Sequence, residues 1–482
     1  RAFNDNKPFN DFTIEQLAGD LLPEPDNQQV LATAFNRNHR INTEDGAIDQ
    51  EWRTEYVIDR VETMGTVWMG LTLGCARCHD HKYDPISQKE FYQLFAFFNT
   101  LEEKGFINNL RGSAEPRLSL AGNPKVQVMV MRDMAQPRKN FLLVGGQYDA
   151  PGEEVGRGLP AVLPPMPEGE AMNRLGLARW LVGGEHPLVS RVLVNRLWEL
   201  LFGTGIVKTV EDMGVQSDWP SHPRLLDWLA VDFQESGWDI KRLLKQMLMS
   251  STYRQSHVVN ELRLEKDPEN RLLSRGPRIR LQAEMIRDQA LALSGLLSMK
   301  MGGPGVRPYQ PAGLWREVEK RGKYQQHHGP DLYRRSIYTM IRRTVPPPGM
   351  RLFDMPSRET CTLTRPRTNT PLQALALMNS VTYVEAARKF AERMVGQGGT
   401  AEKQIAWGFR CATQRQAGQA ELQLLMDGYS RRLVRYQETP GLAESLLKQG
   451  ESESPEIGNP VELAAMTTVA SLLLNLDETI NK

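Results

Sequence analysis

At 482 residues the chain is long enough for two to four domains and a large buried core. Its 40% hydrophobic and 24% charged content is that of an ordinary globular protein, and a formal net charge of +1 offers nucleic acid no basic field to bind. No apolar run reaches the roughly 18 residues that a membrane-spanning helix needs.

Residues 1–50 read as loop-rich. They hold one short amphipathic piece, from Thr13 to Leu22, stopped by Pro23. After Asn36-Arg37-Asn38-His39 comes an acidic loop with Glu44, Asp45, Asp49 and Glu51. Its carboxylates could hold Ca²⁺, although the spacing is not that of an EF-hand; the alternative is a solvated turn before a helix. The chain opens at Arg1 without a basic-apolar-cleavage pattern, which reads as a domain entered partway, with an N-terminal portion absent.

From Glu51 to about Leu73, Val57, Val61, Met64, Val67 and Met69 recur at helical spacing, and Gly74 reads as the helix stop. Directly after it stands Cys75-Ala76-Arg77-Cys78-His79-Asp80-His81-Lys82-Tyr83-Asp84-Pro85. Cys75-x-x-Cys78-His79 is the covalent attachment signature of a c-type haem. Two thiols three residues apart reach the two vinyl groups on one edge of a porphyrin, and the adjacent imidazole ligates iron from the proximal side. The expected cofactor is one covalent haem c per chain, bound by Cys75, Cys78 and His79. A zinc site lacks a fourth ligand, since Cys361 and Cys411 stand alone. A dithiol redox pair lacks the strand-to-helix setting of thioredoxin-like folds. Covalent haem attachment takes place outside the cytoplasm, so a periplasmic or otherwise exported protein is expected.

For the sixth iron position His39 is the candidate, because it lies in a loop before the same helix and can fold across. His81 is too close to His79, and Met64 and Met69 would need a bend in the helix. The competing possibility is an open sixth position. His186, His222 and His328 sit beside Pro or Gly-Pro turns and read as caps. The polar run Asp80–Asp84 admits two roles, relaying protons or binding substrate beside the iron, or fixing the turn and the propionates.

Beyond the motif, Ser87-Gln88-Lys89-Glu90 is a capping box opening a helix with Phe91, Leu94, Phe95 and Phe98 on its face, either a haem-pocket wall or plain core. Residues 103–170 are rich in Gly and Pro, with strand-like runs at 126–131 and 141–144. Prolines at 160, 164, 165 and 167 mark a linker. From 171 onward the pattern is helical: 173–182, 186–203, a helix from Ser221-His222-Pro223, 241–249, 281–297, 370–395, 401–437 and 460–475. The glycines at 302–305 lack phosphate-loop context and read as a turn. The stretch 353–371, dense in Arg, Asp, Glu and hydroxyls, reads as an anion clamp or a buried polar network.

Several of these stretches together resemble the planctomycete cytochrome c family: 12–23, Asn36-Arg37-Asn38-His39, 75–85, 173–181, Val194-Asn195-Arg196 and 365–379. The resemblance spans essentially the whole chain. It implies an exported haem-motif domain joined to a C-terminal domain of unknown function, preceded by a further cytochrome-like domain and a signal peptide. It also implies an extra stretch near 122–124, shortened or missing here, and a sulfatase-like neighbour as a candidate partner. The sequence reading is thus a mainly α-helical protein, with a haem c domain over 1–110, a loop-and-strand connector over 111–170 and a helical domain over 171–482. The expected function is electron transfer to a redox partner protein, within a periplasmic oxidoreductase. The alternatives are a cell-envelope scaffold with a structural haem, or an open-site haem enzyme (peroxidase-like) or sensor.

Overall fold

Apolar residues at helical spacing build helices along much of the chain, and the fold is mainly α, with two short hairpins among the described residues. The computed structural model describes residues 1–42, 46–106, 115–120, 123–318, 323–453 and 459–481. Glu44 and Asp45 of the acidic loop, and Gly122 of the 122–124 position, lie outside them. Two compact units result: Arg1–Pro277 with Glu359–Thr364, and Arg278–Arg358 with Arg365–Lys482. Among the described residues no helix is long and apolar enough to cross a membrane.

The first unit contains α1 (Phe9–Ala18), α2 (Asn27–Ala32), α3 (Asp49–Met64), α4 (Gln88–Phe98), α5 (Arg174–Leu181), α6 (Val189–Phe202), α7 (Pro223–Glu235) and α8 (Ile240–Met249). Strands β1 (Arg117–Leu120) and β2 (Asn123–Met129) pair antiparallel, with Arg117 opposite Met129 and a register slip at Ser119/Leu120. A second antiparallel hairpin joins β3 (Phe141–Leu143) and β4 (Pro151–Glu154), with Phe141 opposite Glu154.

α4 starts where its capping box places it: Ser87 Oγ accepts the Glu90 N–H at 3.2 Å and Glu90 Oε2 accepts the Ser87 N–H at 2.7 Å. Every residue from Phe91 to Phe98 except Gln93 is buried, so α4 is embedded rather than presenting one face. Its aromatics share a hydrophobic core with Val57, Val61 and Met64 of α3. The same core takes in Leu177, Val194, Phe202, Leu226, Phe233 and Leu243 from α5–α8. The compact unit therefore continues past the 110 and 170 boundaries drawn from the sequence. One buried cation shows why. Arg174, the first residue of α5, donates to the Leu17 carbonyl at 2.8 Å, to both Asp20 oxygens at 2.9 and 2.7 Å, and to Asp133 at 2.9 Å. The proline-rich stretch is a connection within one packed body.

The helix expected from Glu51 to Leu73 ends early. α3 stops at Met64, a π-helical turn (Gly65–Met69) comes next, and Gly70 closes it at φ +61°. Gly70, rather than Gly74, is the stop. A side chain there would be strained, and its Cβ would also fall 2.9 Å from Val192 Cγ2 of α6. The π turn leaves carbonyls open, and Arg196 of α6 satisfies two of them, Val67 O at 2.6 Å and Thr66 O at 2.5 Å. Its neighbour Asn195 clasps the Val207 backbone through both N–H and carbonyl.

The second unit is an assembly of helices centred on Val381–Val395 and Pro460–Leu474, where Ala386, Ala387, Ala391, Ala465 and Ala470 allow close approach. Ala283–Ser294, Ala401–Thr413 and Gln419–Glu438 pack around them. The pattern over 370–395 resolves into two helices, broken where Ser380 takes an extended conformation (ψ 136°). That over 401–437 breaks at Gln414, which adopts φ +61°. The 302–305 glycines lie in a bend.

Candidate functional site

Ending the helix at Gly70 frees the cysteine motif to form its own 3₁₀ turn, Leu73–Arg77. The turn is clamped from behind. Ala76 is fully buried, the Arg77 guanidinium pairs with Glu55 of α3 at 2.5 Å, and the Arg77 carbonyl accepts the Tyr92 hydroxyl at 2.9 Å and Gln88 Nε2 at 3.0 Å. Cys75, Cys78 and His79, by contrast, are all exposed. One flank of the Cys78 sulfur is closed by Gly146, where an added Cβ would lie 2.8 Å from it.

His79 Nδ1 lies 2.6 Å from the Asp80 carbonyl oxygen. A carbonyl only accepts, so Nδ1 carries the proton and the Nε2 lone pair faces outward. Metal-binding histidines are held in this same way, one nitrogen oriented by a carbonyl and the other left for the metal. Two exposed thiols and a correctly tautomerised, exposed imidazole on one rigid turn fit the proximal half of a c-type haem site.

The residues after His79 shape the loop. Asp80 accepts the Gln88 N–H at 2.8 Å, His81 Nδ1 accepts the Asp84 N–H at 2.8 Å, and buried Asp84 accepts the Val215 N–H at 2.7 Å. Lys82 lies over the Tyr83 ring at 4.9 Å, out in solvent. Of the two roles weighed for this run, turn-fixing is the one for which its hydrogen bonds account.

His39 has its own partners within the first unit. It is buried and stacked on Tyr56 with ring centroids 4.3 Å apart. Nδ1 donates to the Arg40 carbonyl at 2.9 Å, and Nε2 accepts from Arg60 Nη2 at 2.9 Å. Both nitrogens are thereby used, and binding iron would mean stripping a guanidinium of its acceptor. Burial, with the Arg60 charge adding to it, pushes the His39 pKa down to about 3, so the ring is neutral. Arg60 in turn holds Glu103 bidentately, 2.6 Å at each oxygen, with Arg37 beside it at 3.2 Å and Glu115 bonded to Arg37. Burial alone would raise the Glu103 pKa; the two guanidiniums outweigh it and hold the carboxyl down to about 2. Met64 and Met69 lie in the hydrophobic core, which accounts for them without iron.

Sequence reasoning passed over Arg60 and Glu103. The available signal was position: Arg60 falls between Val57, Val61 and Met64 on the apolar stripe of α3, where an unpaired charge cannot stay. Where the 353–371 stretch belongs to the second unit, internal polar contacts hold it. Asp354 accepts the Thr368 N–H at 2.8 Å, Gln373 donates to the Thr368 hydroxyl at 3.0 Å, and Arg365 pairs with Glu284 at 2.7 Å. Of the carboxylates considered for calcium, Asp49 already accepts the Gly105 and Phe106 N–H groups at 2.9 and 3.2 Å. Among the described residues no group of three or more His, Cys, Asp and Glu side chains is placed to hold a metal ion.

These features define a class: a mainly helical, two-unit protein bearing an exposed Cys-x-x-Cys-His turn on its first unit. The chain belongs to the PSD1 family, a protein of unknown function (DUF1553), whose model matches residues 173–429, more than half of its length. A second family model, PSCyt2, also a protein of unknown function (DUF1549), matches residues 1–103 and so contains the whole cysteine turn. Both are planctomycete-type domains. No curated protein and no solved structure matches the chain.

Proposed function

We propose that this chain is an exported c-type haem protein, carrying one haem on Cys75 and Cys78 with His79 as proximal ligand, and serving electron transfer with a partner redox protein. One observation carries the reading: the attachment signature lies on a rigid turn with both thiols exposed and the His79 Nδ1 proton already committed to the Asp80 carbonyl. When bound, the haem supplies one-electron chemistry at iron. The chain's residues hold it and set its surroundings. Cys75 and Cys78 fix its edge, His79 presents Nε2, and the Glu55–Arg77 pair keeps the turn from moving with respect to α3.

A second reading has an observation in its favour. His39 is engaged by Arg60, and Met64 and Met69 lie in the hydrophobic core, which favours an open sixth position. An open position suits binding or turnover of a small ligand, as in a peroxidase-like enzyme or a sensor.

Intact-mass measurement under denaturing conditions, on full-length chain made in a host competent for c-type maturation, tests the proposal. The expected result is the mass of the chain plus one haem, lost in the Cys75→Ala/Cys78→Ala double variant. A wild-type chain of unmodified mass, with both thiols open to alkylation, contradicts it.

A further inference from the structure

A cavity of about 740 Å³ opens on the first unit between α6, α7 and the loop after the cysteine turn. Its interior is apolar, walled by Leu71, Ile86, Leu188 and Leu226, and its size is that of a small-molecule site. The mouth is unusual for a protein surface. Trp219 is 91% exposed there, with Val215 at 65% and Val162 at 55%, three apolar side chains left in water around one opening.

Among the described residues the only cation lining the cavity, Arg191, is already paired, and Asp84 leaves the lining with an excess carboxylate. Arg191 pairs with Asp227 at 2.7 Å, and the Asp84 carboxylate is packed against Gly214 and accepts the Val215 N–H. An anionic ligand would leave water here and find no free counter-ion, which costs several kcal/mol. An uncharged, largely apolar one avoids that cost.

We infer that this cavity binds an uncharged, flat-ring compound, its apolar body among the leucines and a ring against the Trp219 indole. None of Cys75, Cys78 and His79 lines it. Its ligand would nonetheless contact the loop after the cysteine turn, because Asp84, Pro85 and Ile86 form part of its wall.

The test is fluorescence titration of the full chain with N-phenyl-1-naphthylamine, a neutral two-ring probe, alongside 8-anilinonaphthalene-1-sulfonate, its anionic relative. The neutral probe should saturate at one per chain, and the sulfonate should bind at least about tenfold more weakly. Trp219→Ala should weaken the neutral probe roughly fivefold through loss of ring stacking. Val162→Trp should weaken it about tenfold or more by placing an indole in the mouth. Both positions are exposed, so both variants should keep the wild-type melting curve. Absence of saturable binding, a sulfonate affinity equal to that of the neutral probe, or unchanged affinity in either variant overturns the inference.

Discussion

At the scale of single residues, the sharpest lesson is His39. A histidine in a loop ahead of a haem motif invites a ligand assignment, yet its two nitrogens complete a buried network built on Arg60 and Glu103. That network makes the first unit acid-sensitive. The folded-state His39 pKa lies at about 3 against an ordinary 6.5. The unfolded chain thus takes up a proton that the native chain refuses, and stability, complete above pH 6.5, falls as pH drops towards 3. The slope is up to about 1.4 kcal/mol per pH unit. Glu103 works in the same direction at lower pH, its contribution being lost from the ordinary 4.5 down through about 2. His39→Gln, whose amide can keep both hydrogen bonds without titrating, should flatten the dependence between pH 6.5 and 4.5 in urea unfolding followed by tryptophan fluorescence. A slope equal to wild type would place the acid sensitivity elsewhere. Arg60→Ala leaves the Glu103 carboxylate buried without its main partner and should cost about 3–5 kcal/mol in the same assay.

At the scale of elements, helices were legible where apolar spacing agreed with a capping signal, as at Ser87–Glu90 and Pro223. They were misjudged where tertiary contacts end a helix that the pattern would continue. α3 is the clearest case, because its end is set by Arg196 and by the approach of Val192 to Gly70, both from a helix more than 120 residues away. The two glycines should therefore respond differently to alanine. Gly70→Ala combines a left-handed conformation, about 1–2 kcal/mol, with a clash against Val192, and should lower the melting temperature by several degrees. Gly74→Ala meets only the flexible end of Glu62, at 3.0 Å, and should be close to neutral. Equal shifts would return the helix stop to Gly74. Ser87→Ala removes one half of the α4 cap and should cost about 1 kcal/mol in thermal or urea unfolding.

At the scale of the whole molecule, the mainly α character could be read from residue spacing alone, whereas the separate turn that carries the cysteines could not. Nor could the packing boundary. Prolines at 160–167 look like a linker in sequence, but Arg174 ties α5 back to the end of α1, through a pairing 154 residues apart that no local pattern encodes. Each unit has its own contiguous hydrophobic core. Phe97→Ala and Phe390→Ala, both removing a fully buried ring, should each cost about 3–5 kcal/mol. In calorimetry they should lower different components of the unfolding profile. Identical effects on one transition would mean that the two cores melt as a single cooperative body.

The measurement that bears most directly on the account is a pyridine haemochrome spectrum of the purified full-length chain, with oxidised and reduced visible spectra taken beside it. A c-type α band at one haem per chain, in a protein whose oxidised spectrum is unchanged by His39→Gln, is the predicted result. A chain without any haem band, matured under the same conditions, would contradict it and leave Cys75, Cys78 and His79 to another chemistry.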